Sequence, residues 1–279
     1  MMKLRGIGKS ELGLKRKINE DRFLLAPELG LYVVADGLGG HKAGEVASRM
    51  VVETMADYWK KMRDGHPPAF LHPVAKGVSE EAKHLINSIL MSNRMIHEVQ
   101  KKPEYRRMGS TVSAVLQQGD RLWAANVGDS PIFLFDRDRL IRVSEEHSIE
   151  AEQRMMGWTQ PAGASNTPFK NILTRVLGLG EKVNVYLNPI RPEPGDFILV
   201  CSDGLTNFVP EPSIKTILDD FSISIQRKVD ILLDEANRGG GGDNITVILL
   251  EIVEEGKWVR FKRRLKGESS LQHRASLPV

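Results

Sequence analysis

Four aspartates stand beside glycine at the ends of apolar runs: Asp36 in LYVVADGLGG, Asp129 in AANVGDS, Asp203 in FILVCSDGL and Asp243 in GGGGDNITVILL. An apolar strand that ends in an acid next to a flexible residue delivers a carboxylate to the rim of a sheet, where backbone can also approach a ligand. A single Asp-Gly is ordinarily just a turn. If these four ends meet, however, their carboxylates repel one another strongly unless a cation neutralises them. All-oxygen ligation selects Mg²⁺, Mn²⁺ or Ca²⁺ over zinc or copper, and the seven histidines show no zinc spacing such as HExxH. An aspartate bridging two such ions suits activation of a water and in-line phosphoryl displacement. Upstream, Arg16 in LKRKINED offers a planar fork for phosphate oxygens and is followed by Glu20 and Asp21. The plain alternative is that Lys15, Arg16 and Lys17 form a solvated basic cluster.

The elements that must position these residues are short. Strand-like runs fall at 31–35, 111–117, 121–127, 132–135, 197–201 and 245–253. Turns at Gly119-Asp120 and at 136–138 suggest an antiparallel meander in the middle of the chain. Val46, Met50, Val51, Met55, Tyr58, Trp59 and Met62 recur at helical spacing, as do Ala82, Leu85, Ile86, Ile89, Leu90 and Ile96. A third helix is expected over 225–236. Strands, two helices, more strands, a helix and a last strand predict an α+β domain with helices covering antiparallel sheets.

The chain has 279 residues, 41% of them hydrophobic and 27% charged, a soluble globular composition. Its one cysteine excludes an intrachain disulfide and a thiolate zinc or iron–sulfur site, which predicts a cytoplasmic location. No apolar run is long enough for a transmembrane segment, and the N-terminus lacks the apolar core of a signal peptide. Net charge is +3, but residues 256–279 hold seven Lys/Arg and one Glu, leaving 32 Lys/Arg against 35 Asp/Glu elsewhere. A nucleic-acid partner would need a basic face on the body, so none is expected.

The ordered set RKINED, VADGLGGHKAGE, MGSTVSAVL, ANVGDS, NILTRVLG, ILVCSDGLT and GGGDNITVILL resembles the metal-dependent serine/threonine protein phosphatases of type 2C, in their bacterial form. The resemblance spans about residues 5–253. It implies a single catalytic domain over 1–255, a flap at about 148–171 and a basic tail at 256–279. The implied fold is a four-layer α-β-β-α sandwich of two antiparallel sheets flanked by helices. The implied cofactors are two Mn²⁺ or Mg²⁺ ions with a third, weaker site. Asp36 resembles the bridging ligand, Gly37 the carbonyl ligand, Asp203 and Asp243 the remaining direct ligands, and Asp129 the acid that shares the third metal with Asp203. Arg16 matches the phosphate-binding arginine, and Glu20 and Asp21 match acids that hold metal-bound waters. The implied reaction is hydrolysis of phosphoserine or phosphothreonine in proteins by a metal-activated water, opposing a serine/threonine kinase, by a monomer.

His41 is a candidate general acid, its alternative being a residue that orients the glycine-rich turn. Asn244 is expected to orient Asp243. The sequence departs from the pattern at Pro131, where arginine is usual, and at Glu146, where aspartate is usual. Trp158 and Phe169 in the flap are expected either to face substrate or to pack the flap onto the body. Other phosphatase chemistries fail: the residue six after Cys201 is Asn207, not arginine, and Asp136-Arg137-Asp138-Arg139-Leu140 lacks the last residue of a phosphoaspartate motif. A non-catalytic phosphoprotein-binding version of the fold predicts loss of a metal ligand or of the arginine, and all are present.

Overall fold

The computed structural model describes residues 2–39, 43–72, 77–136, 139–158 and 172–254. His41, Phe169, most of the flap and the basic tail therefore lie outside the described residues. In chain order the strands are β1 (Met2–Glu11), β2 (Asp21–Ala26), β3 (Leu31–Leu38), β4 (Gly109–Ser110), β5 (Val112–Gln118), β6 (Arg121–Val127), β7 (Ile132–Asp136), β8 (Arg139–Arg142), β9 (Tyr186–Ile190), β10 (Phe197–Cys201) and β11 (Ile245–Glu254). The α-helices are α1 (Ala43–Arg63), α2 (Glu80–Val99), α3 (Ile149–Met155), α4 (Asp203–Thr206), α5 (Glu211–Asp219) and α6 (Ile225–Arg238).

One sheet runs β1-β11-β10-β7-β8 and the other β2-β3-β5-β6-β9, with β4 added to β3; the named pairings are antiparallel. Side-chain alternation along the strands sorts residues into layers. Tyr32 and Val34 on β3 meet Ile198 and Val200 on β10 and Ile248 and Leu250 on β11 between the sheets. Val33 and Ala35 point the other way, against Val51 and Met55 of α1 and Leu85 and Ile89 of α2. On the opposite outer face, Leu199 and Leu249 pack under Val229 and Leu232 of α6 and Ile214 of α5. The four-layer sandwich is thus present. Ser79 caps α2 by accepting from the Ala82 N–H.

The middle of the chain is not one meander. β5 and β6 form a hairpin in one sheet, β7 and β8 form a second hairpin in the other, and the chain changes sheet between Val127 and Ile132. The crossing segment carries Asp129, which places that acid at the end of the gap between the sheets.

Candidate active site

The β2–β3 register sets Asp21 directly opposite Asp36. Directly opposed residues of an antiparallel pair share a face, and both acids share the parity of Tyr32 and Val34, so they point into the gap between the sheets. The other sheet answers at the same end. Ser202, just after β10, donates from Oγ to Asp21 Oδ2 at 2.7 Å, and accepts the Thr246 N–H on β11 at 3.0 Å. Asp21, 1% exposed, thus pins the two sheets together beneath the other acids. Burial pushes its pKa up to about 7 against the hydrogen bonds from Ser202 and Thr246, with Asp203 and Asp243 adding repulsion.

Above it, Asp36 is held well above the usual carboxylate range by burial and then by Asp21, Asp203, Asp129 and Asp243. Asp203 is raised by burial and by Asp243, although Asn207 donates to its Oδ2 at 2.9 Å. Asp36 lies close enough to Asp203 to offset part of that rise. Asp129 is pushed up to about 7 by burial and Asp203. Acids from both sheets are therefore near enough to influence one another electrostatically. Glu20 joins them with its Oε1 buried and lacking a hydrogen-bond partner, and burial raises its pKa more than the Arg16 charge lowers it.

Backbone closes tightly around this end. A Cβ on Gly37 would lie 1.9 Å from the Gly44 carbonyl oxygen, so the strand end and the start of α1 touch through bare backbone. The Asp36 N–H donates to Thr111 Oγ1 at 3.0 Å, and its carbonyl accepts the Thr111 N–H at 2.8 Å.

Arg16 lies at the exposed rim and donates from Nη2 to Asp243 Oδ2 at 2.8 Å. Its turn is held by Asn244, whose Nδ2 donates to the Leu12 and Ile18 carbonyls at 3.0 Å each and whose Oδ1 accepts the Glu20 N–H at 2.8 Å. The Asn244 N–H caps Asp243 Oδ1 at 2.8 Å. Asn244 thus contacts Asp243 through its backbone and, through its side chain, ties down the segment that carries Arg16 and Glu20.

Around Asp129 the sequence reading missed Arg142 and His147, and noted Glu146 only as a departure from the pattern. Pro131 removes the expected arginine, but Arg142 on β8 brings a guanidinium, donating to the Asp129 carbonyl at 3.0 Å and pairing with Glu146 at 2.9 Å. Glu146 also takes Arg154 of α3 at 2.8 Å and the Ser148 hydroxyl at 2.7 Å. His147 accepts the Gly128 N–H on Nδ1 at 3.0 Å and donates its own N–H to the Gly128 carbonyl at 3.1 Å. Trp158 is 69% exposed.

Among the described residues, no three His, Cys, Asp or Glu side chains close on one point as ligands of a single ion would. Asp243 is paired instead with Arg16, Nη2 to Oδ2 at 2.8 Å. The donor set nevertheless fits hard divalent cations. It is all oxygen, its Asp36 and Asp203 carboxyls are raised by burial and then by neighbouring acids, and it includes a buried carboxylate oxygen without a partner.

Comparison with known proteins agrees with this chemistry. The family described as Protein phosphatase 2C matches residues 15–235. A serine/threonine phosphatase stp of Listeria innocua is 33% identical over 256 residues, 89% of this chain and 97% of the relative. The solved serine/threonine phosphatase of S. agalactiae superposes with a TM-score of 0.78 at 32% identity, covering 90% of this chain and 100% of that one. The catalytic domain of PstP, solved in complex with two manganese ions, gives a TM-score of 0.75 at 29% identity, covering 91% and 100%. The chain belongs to the protein phosphatase 2C family of metal-dependent serine/threonine phosphatases.

Proposed function

We propose that this protein hydrolyses phosphoserine and phosphothreonine in cytoplasmic proteins, opposing a serine/threonine kinase, with two Mn²⁺ or Mg²⁺ ions held by Asp36, Asp203, Asp243 and the Gly37 carbonyl. Asp129 with Asp203 would hold a third ion, and Glu20 and Asp21 would hold waters around the pair. The observation that carries this reading is the convergence of Asp21, Asp36, Asp129 and Asp203, with raised pKa values, beside an arginine at the rim. The manganese pair in the PstP structure supports the choice of cofactor.

When bound, such ions neutralise the acids, bring a water's pKa toward neutrality and draw charge from the phosphoryl oxygens. The chain's own residues do the rest. Arg16, on a turn fixed by Asn244, presents two parallel donors to phosphate oxygens once it leaves Asp243. Asp21, strapped to Ser202, keeps the two sheets at the spacing the acids need. His41 is the proposed proton donor to the leaving alkoxide. No protein nucleophile is required: Cys201 is fully buried in β10, and burial pushes its thiol far from thiolate.

Release of phosphate from a phosphothreonine peptide tests the reading. Turnover should require added Mn²⁺ or Mg²⁺, stop in excess EDTA and collapse in Asp203→Asn. Turnover that ignores EDTA, or none from folded protein at any metal concentration, would overturn it.

A further inference from the structure

The run Lys15-Arg16-Lys17 leaves two cations that this chemistry does not use. Their turn is fixed at both ends by the Asn244 side chain and in the middle by the Gly241 carbonyl, which accepts the Leu14 and Lys15 N–H groups at 2.8 and 3.2 Å. Gly13, with φ of +75°, seals the contact, because a Cβ there would lie 2.1 Å from the Asp243 carbonyl oxygen. The turn is therefore welded to the arm that carries Asp243. Lys15 and Lys17 are exposed, and neither makes an ion pair among the described residues. Successive Cα atoms are about 3.8 Å apart, so both ammonium groups sweep the space within about 10 Å of the Arg16 guanidinium. An extended peptide advances about 3.3 Å per residue, so one lying with its phosphate on Arg16 carries its next two or three side chains through that space.

We propose that Lys15 and Lys17 bind acidic residues flanking the phosphorylated serine or threonine, so that the preferred protein substrates carry Asp or Glu beside the phosphate. This rests on the phosphatase reading above. The pair is not part of a generally basic body, since residues outside the 256–279 tail hold 32 Lys/Arg against 35 Asp/Glu. Exposed ion pairs are individually weak, so the lysines set a preference and do not gate turnover.

The test compares two phosphothreonine peptides of equal length, one with acidic and one with neutral flanks, in Mn²⁺ at low ionic strength. The parent protein should favour the acidic peptide in kcat/KM by about fivefold, the scale of two exposed pairs. That ratio should fall to about one in Lys15→Gln/Lys17→Gln, and in about 0.5 M NaCl, where the Debye length is about 4 Å. Fluorescence anisotropy with a non-hydrolysable phosphonate version of each peptide should show the same loss in Kd. A parent without preference, or a double variant slowed equally on both peptides and on p-nitrophenyl phosphate, would overturn the proposal. No metal-dependent turnover of any substrate by the folded parent would overturn the phosphatase reading and this proposal with it, whereas turnover without preference overturns this one alone.

Discussion

Two of the places where the described residues bury charge treat it oppositely. Lys228 on α6 is 1% exposed, and its Nζ donates to the Ile217 and Leu218 carbonyls at 2.8 Å each and to the Asp220 carbonyl at 2.5 Å, beneath the rings of Phe197 and Phe221. The lysine caps the end of α5, where helix carbonyls lack partners of their own. The acids between the sheets have no such balance: Asp36 faces other acids, and Glu20 Oε1 has no hydrogen-bond partner. A buried charge whose donors are all matched holds a fold together. A buried set whose charges oppose one another stores free energy that a cation can release.

The comparison breaks most visibly at Asp36. Asp36→Asn should lower metal-dependent kcat by at least about a thousandfold, the scale for loss of a central catalytic group. In EDTA the same substitution should raise the unfolding midpoint, because it removes one of the repelling charges; a lower midpoint would show that the acids are structural after all. Lys228→Ala should do the reverse. Three carbonyls lose their donor, which costs about 3 kcal/mol of stability by thermal or urea unfolding, while kcat of the molecules that remain folded is unchanged. Loss of activity in folded Lys228→Ala would erase the distinction between the two regions.

Metal addition sharpens the contrast from the other side. Any ligand that binds only the folded state stabilises it by RT ln(1 + [L]/Kd), about 2.7 kcal/mol at a hundredfold excess over Kd. Mn²⁺ should therefore raise the melting temperature of the parent and should do so much less in Asp36→Asn, read by differential scanning calorimetry. An equal rise in both would place the ions elsewhere.

What the sequence revealed follows the same division. The acids were legible because each ends an apolar run beside glycine, a local signature, and α1, α2 and α6 were legible from helical periodicity. Strand β1 was not, since MKLRGIGKSE has little apolar alternation; it is extended because all ten residues pair with β11. Nor was β9, YLNPI, whose Pro189 is tolerated on an edge strand that pairs only with β6. Arg142 and His147 lie in unremarkable local sequence, and their roles arise from contacts with Asp129 and Gly128, 13 and 19 residues away.

His147 gives the smallest of these effects and a third way of burying a titratable group, by keeping it neutral. Its side chain is 1% exposed beside Arg175, and burial, with Arg175 and Arg142, lowers its pKa to about 3. Nδ1 accepts the Gly128 N–H, and Nε2 lies 2.8 Å from Arg175 Nη1 and 3.2 Å from Glu145 Oε1, so an added proton would meet a guanidinium as well as a carboxylate. A folded pKa below the unfolded value of about 6.5 means that the unfolded chain takes up the proton first as pH falls. Stability from this group is fully present above about pH 6.5 and drains toward pH 3 at up to about 1.4 kcal/mol per unit. The central acids, whose folded pKa values are raised, shift stability in the opposite sense over part of the same range. The comparison of parent with His147→Gln cancels that common contribution. In EDTA, the difference in unfolding free energy between the two should shrink steadily from pH 6.5 to pH 4.5; a constant difference would mean that folding leaves the His147 pKa at its unfolded value, and a growing one that the folded protein holds it protonated, like Lys228.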